Sequence, residues 1–237
     1  MTPDTPHTVH RFDRELAGLR DLIERMGKIA VEQIRAAVRA VMERDADLAA
    51  EVAARDKELD RLEREVEAEV IKVLALRHPV ASDLRLVIGA LRAANDLERI
   101  GDYAANVAKR GILLAELPPL GSLNGFGRLA DMAGRNVEDA VAALLSGDAD
   151  LADRVWAGDQ PVDAIYTGIF REMLTHMMED PRTITAATHF LFVAKNLERI
   201  GDHATNIAEV AHYLGRGEFL EGERPKADTT VAPDGTS

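Results

Sequence analysis

No cysteine occurs in the 237 residues, so neither a disulfide framework nor a thiolate metal site is open to this chain. Aromatic residues make up only 4%, and with alanine abundant that scarcity favours close-packed helices over sheets, which draw on aromatic and β-branched side chains. No apolar run reaches the roughly eighteen residues that a membrane helix needs, and Met1 to His10 lacks an apolar signal core, so the expected compartment is the cytoplasm. Basic residues are in the minority, 29 against 41 acidic, for a net charge of −12; a nucleic-acid surface needs a basic face, and none is indicated. A Gly-rich phosphate loop, a Ser/His/Asp arrangement and a kinase motif are also missing, which leaves direct nucleotide or phosphate chemistry unsupported.

What the chain does contain is a duplication. Residues 97–102 read LERIGD, and residues 197–202 read LERIGD again, with Tyr103-Ala104-Ala105-Asn106 matched by His203-Ala204-Thr205-Asn206. Further back the offset becomes 103 residues, pairing Asp45-Ala46-Asp47-Leu48-Ala49 with Asp148-Ala149-Asp150-Leu151-Ala152. The change of offset falls near Arg77-His78-Pro79 and Asp180-Pro181, where turns tolerate insertions.

Apolar spacing resolves each copy into three amphipathic helices. The first runs from Phe12 to about Arg44, with Asp45 or Asp47 placed to cap the next. The second carries Leu48, Val52, Leu59, Leu62, Val66, Val70 and Val73 inward until His78-Pro79 stops it. The third starts after Ser82 or Asp83 and buries Leu86, Ala90, Ala93, Leu97, Ile100, Ala104 and Val107. The glycines and prolines of 115–127 separate the copies, and helices over 128–146, 151–178 and 183–214 form the second. The expected fold is all-α: two tandem antiparallel three-helix bundles, over 8–116 and 117–214, followed by a disordered tail at 215–237.

Beside the core stripe of the third helix runs a second line, Leu84, Ile88, Leu91, Asn95, Glu98, Asp102, matched in the last helix by Ile184, Thr188, Leu191, Lys195, Glu198, Asp202. Each line turns acidic at its end, and like charges four residues apart cost about 0.2–0.5 kcal/mol unless neutralised. Asp56 and Asp60 on the second helix repeat the pattern, as do Asp159 and Asp163 on the fifth. Packed as hairpins, each copy gathers four carboxylates, a donor set suited to hard cations such as Fe(III), Mn, Mg or Ca, with Zn possible. A plain solvated face, with Arg99 bridging to Asp102, is the competing reading. Gly101 and Gly201 imply close approach of a neighbouring backbone, since glycine inside a helix costs about 1 kcal/mol against alanine. Pro161, two residues after Asp159, places Asp159 at or beside a helix start.

The paired LERIGD elements, the run Ala186-Ala187-Thr188-His189-Phe190-Leu191-Phe192-Val193-Ala194-Lys195-Asn196 before the second, and the Asp-x-x-x-Asp pairs resemble the PhoU family of phosphate transport regulators over about residues 8–214. The resemblance implies two similar three-helix bundles, often dimeric, that negatively regulate phosphate uptake and the phosphate-starvation response. The implied partners are the transporter's ATPase subunit and a membrane sensor histidine kinase. It also implies metal ions, iron foremost with Zn, Mn or Mg as alternatives, on Asp56, Asp60, Glu98 and Asp102 and on Asp159, Asp163, Glu198 and Asp202. Two other functions compete: a metal-free helical scaffold, and a di-metal carboxylate enzyme. The latter uses a Glu-x-x-His pair from each of two helices, a motif not expected here, the nearest pattern being Glu172-x-x-x-His176, which has the wrong spacing and occurs once.

Overall fold

The computed structural model describes residues 5–121 and 123–220. Among them lie eight α-helices and no strand: α1 Thr5–Glu43, α2 Ala46–Ala54, α3 Asp56–Arg77, α4 Ala81–Glu116, α5 Asn124–Ser146, α6 Ala149–Ala157, α7 Asp159–Glu179 and α8 Ile184–Arg216, the last entered through a 3-10 turn at Pro181–Thr183. Asp45 and Asp148 cap α2 and α6 from equivalent positions, each accepting a hydrogen bond of 2.9 Å from the backbone N–H three residues on.

The second helix of each copy is broken where the apolar pattern predicts one continuous rod. The Arg55 N–H divides itself between the carbonyls of Glu51 and Val52, and α3 starts afresh at Asp56; in the other copy Gly158 does the same with Arg154 and Val155. Other expectations also shift. Asn124 begins α5 and takes Gly125 and Gly127 into the helix. Helix α4 starts at Ala81 with Val80 at the N-cap and no side-chain cap, so Ser82 and Asp83 fall inside its first turn, and the first buried position is Val87 rather than Leu86. Helix α8 extends to Arg216, two residues beyond its expected end, and Phe219 stacks on Tyr213 with ring centroids 4.4 Å apart; the remainder of the expected tail, 221–237, lies outside the described residues.

The two bundles share one continuous core. Helix α4 packs along α8 and α1 along α5, joining Leu97, Ile100, Leu197 and Ile200 in a single apolar cluster. Helices α4 and α8 run antiparallel: Gly89 faces Val210 and Leu214, Asn206 donates to Asp96 midway along α4, and Arg110 meets His189 towards the other end. At the crossing the repeat-equivalent rings of Tyr103 and His203 stand 5.5 Å apart. Gly101 is explained by side chains rather than backbone, because a Cβ there would collide with Leu59 of α3 and press on Gln33 of α1.

Candidate cation-binding site

The break before α3 makes Asp56 the first residue of a helix, with Asp60 one turn further on, and the α3–α4 hairpin carries this pair to Glu98 and Asp102. Burial raises the Asp56 carboxyl above its ordinary value, and the charges of Asp102 and Asp60 raise it further against the pull of Lys109. Glu98 is raised chiefly by burial, then by Asp102, with smaller contributions from Glu63 and Asp60; Arg99 opposes them. The four predicted residues of the first copy therefore share one negative field. Arg99 bridges its outer edge, with Nη1 3.1 Å from Asp102 and Nε 3.4 Å from Glu98.

The second patch sits deeper. Asp163 and Glu198 are buried, at 4% and 7% exposure, and burial again leads the upward shift of Glu198, with Asp202 and Asp163 adding to it. A cation supplied by the chain is already present: Lys195 donates to Glu198 Oε1 at 2.9 Å and stands 5.2 Å from the Tyr166 ring centroid. The first copy has Asn95 at this place, and it donates to Glu63 instead. The backbone of Asp159 opens α7, with Pro161 in the first turn where a missing N–H is tolerated. The Asp159 side chain lies outside the described residues.

Two features bear on whether these patches suit a metal. Glu98 Oε2 and Glu198 Oε2, equivalent atoms of the two copies, are buried without a hydrogen bond; each has a cation beside it, Arg99 Nε at 3.4 Å and Lys195 Nζ at 2.9 Å, in ion pairs that do not make one. Buried acceptors left unpaired are costly, and the all-oxygen donor set fits a hard cation. As they stand, however, no three His, Asp or Glu side chains among the described residues converge as metal ligands would, so binding would have to draw the carboxylates together. The first patch fits this role better than the second, where Lys195 competes.

Some participants were not apparent in the sequence. Gln33 and Asn136, matched between copies at the 103-residue offset, both hold buried carboxamide atoms without partners. Glu63 joins the first field, and Lys195 could have been noticed as an i,i+3 partner of Glu198. His203, matched by Tyr103 in the other copy, ties the two halves together, its Nδ1 being 2.8 Å from Asp96. A Glu-x-x-His does occur at Glu209 and His212, but its members part company: Glu209 is exposed, while His212 is buried with Nδ1 2.6 Å from Asp153.

A duplicated all-α protein, two bundles fused along α4 and α8 with an acidic hairpin in each, is the class that fold and site define. The chain belongs to the PhoU family: the PhoU domain model matches residues 23–111 and 126–211. It is 46% identical over 225 residues to a phosphate-specific transport system accessory protein PhoU homolog of Caulobacter vibrioides, covering 94% of this chain and 98% of that protein. Among solved structures, PhoU from Pseudomonas aeruginosa superposes with a TM-score of 0.82 at 40% identity, covering 87% of this chain and 100% of that one. The phosphate transport system regulatory protein PhoU from Streptococcus pneumoniae also gives 0.82, at 28% identity over 89% of this chain and 99% of that one.

Proposed function

We propose that this protein is an accessory protein of a phosphate-specific transport system, a negative regulator of phosphate uptake and of the phosphate-starvation response that acts by binding and not by catalysis. The observation that carries this reading is the paired PhoU domain match, backed by relatives of that name aligned over nearly their whole length. Its place is the cytoplasm, and no helix among the described residues is long and apolar enough to cross a membrane. Its partners are the transporter's ATPase subunit and a membrane sensor histidine kinase, and it works as a homodimer. Apolar side chains are exposed at equivalent points of both copies, Ile71 and Leu84 on the α3–α4 hairpin at 61% and 40% and Leu174 and Ile184 on α7–α8 at 41% and 48%, and this repetition supports them as contact points for a partner.

Asp56, Asp60, Glu98 and Asp102 would hold a hard cation, iron foremost or else Zn, Mn or Mg, and Asp159, Asp163, Glu198 and Asp202 a second. Bound there, the ion supplies positive charge that relieves the carboxylates' mutual repulsion and ties α3 to α4. Lys195 supports a narrower alternative, in which the second patch stays metal-free and serves as scaffold. Deletion of the gene, followed by alkaline phosphatase measurement at high phosphate, tests the regulatory reading. Derepression restored by the intact gene is expected; unchanged repression contradicts it.

A further inference from the structure

Because the chain is duplicated, each half serves as a control for the other, and the two grooves flanking the α4–α8 crossing differ in charge. The groove between α3, α4 and α8, about 610 Å³, is lined by the carboxylates of Glu63, Glu67, Asp96 and Glu209, against the single cation Arg92. At the equivalent positions of the other half stand Tyr166, Phe170, Asn196 and Lys109. Every acid of the first groove has been replaced. The cleft on that other side, about 340 Å³, is lined by Asn106, Lys109, Arg110, Leu113 and Asn196, and by no carboxylate among the described residues. In a chain with 41 acidic residues against 29 basic ones, a concave site with two cations and no anion is a marked departure.

Arg110 is held ready by neutral groups. Its guanidinium lies 4.6 Å from the Phe192 ring centroid and donates through Nη1 to His189 Nδ1 at 3.2 Å. That nitrogen accepts only when unprotonated, and burial together with the Arg110 charge holds His189 below its ordinary value. Arg110 thus acquires orientation without neutralisation, an arrangement that leaves its fork available to an anion. Lys109 adds a second charge, although its field also reaches Asp56. Asn196 uses one amide hydrogen on the Phe192 carbonyl at 2.6 Å and keeps the other, and Asn106 is exposed at the rim.

We propose that the cleft bounded by Asn106, Lys109, Arg110 and Asn196 binds a small, multiply charged oxyanion of the phosphate class. A simple carboxylate is satisfied by one guanidinium face, whereas a tetrahedral oxyanion offers oxygens in several directions and matches a fork, an ammonium and two carboxamides arriving from two helices. The site shares no residue with the acidic patches, although Lys109 also acts on Asp56 of the first, and its existence does not depend on a metal or on the regulatory assignment.

Calorimetric titration of the full-length protein, with and without a metal chelator, tests it. The probes are inorganic phosphate, O-phosphoserine as a phosphate monoester, and acetate. Phosphate or the monoester is expected to bind whether or not chelator is present; the tighter of the two identifies free ion or phosphorylated small molecule as the source, and acetate binds far more weakly. Arg110→Met should weaken binding about tenfold or more. The double change Lys109→Glu with Asn196→Asp, which installs the residues carried by the other half, should do the same with helix content unchanged, and it decides the matter if Arg110→Met does not fold. No binding by either phosphate probe, acetate binding of equal strength, loss of binding with chelator, or undiminished binding in the double variant would overturn the proposal.

Discussion

Glu98 and Glu198 occupy the same place in the two halves yet have different neighbours, and that difference is open to measurement. A carboxyl raised above its ordinary value holds its proton more tightly in the folded chain than in the unfolded one. Glu98 and Asp56 therefore remove stability as pH climbs from the ordinary carboxylate range through their raised values, and the loss is complete above them. Glu98→Gln should accordingly raise the melting temperature of the chelator-treated protein at neutral pH and leave it nearly unchanged at about pH 4, where the carboxyl is largely protonated in either state. Added Mn²⁺ should stabilise the wild type and do less for the variant. A lower melting temperature at neutral pH without metal would show that Glu98 is satisfied by groups within the chain. For the second patch, Lys195→Asn gives it the residue that the first copy carries. Equilibrium dialysis with Mn²⁺ should then register additional bound cation relative to wild type; an unchanged isotherm would mean that Lys195 does not occupy the cation's place.

Among the elements, the ends of helices show how two copies reach one geometry by different residues. Arg44 and Gly147 are equivalent at the 103-residue offset, and both adopt the left-handed conformation, with φ of 57° and 70°. Glycine does so without strain; Arg44 is compensated by a guanidinium that donates to the carbonyls of Ala115 and Leu117 at the end of α4. A Cβ on Gly147 meets nothing, so Gly147→Ala reports backbone strain alone and should cost about 1–2 kcal/mol in chemical denaturation; no loss would refute the left-handed cap. The Asp45 cap, most of the core stripe of α4 and the i,i+4 acidic pairs could be read from spacing, because each is a local property of one helix; the start of α4 could not, since it lies at Ala81 ahead of the expected Ser82 or Asp83 cap and buries Val87 in place of Leu86. The break at Arg55 could not. Val52 and Leu59, on either side of it, are two full turns apart, so the buried face continues across the kink and periodicity gives no sign of it. Its counterpart was visible only through Gly158 and Pro161. Nor could spacing reveal the contrast between the two grooves, which arises where helices of different halves cross.

At the scale of the whole molecule, the antiparallel α4–α8 pair fixes where everything else stands. It fuses the two cores, places the acidic hairpins in equivalent settings on the two halves, and joins the halves through Asp96, His203 and Asn206. On that frame the chain concentrates carboxylates that repel one another and leaves the equivalent buried oxygens Glu98 Oε2 and Glu198 Oε2 without a hydrogen bond in either half, a state that an external positive charge relieves most readily at Glu98, where Arg99 stands 3.4 Å away. Elemental analysis of the protein purified without a histidine tag, set beside the Glu98→Gln, Asp102→Asn double variant, tests this most directly. A hard cation, iron foremost, should be retained through gel filtration by the wild type in stoichiometric amount and be lost or sharply reduced in the variant. Equal metal content in the two proteins, or none in the wild type even after incubation with Fe and Mn salts, would contradict it.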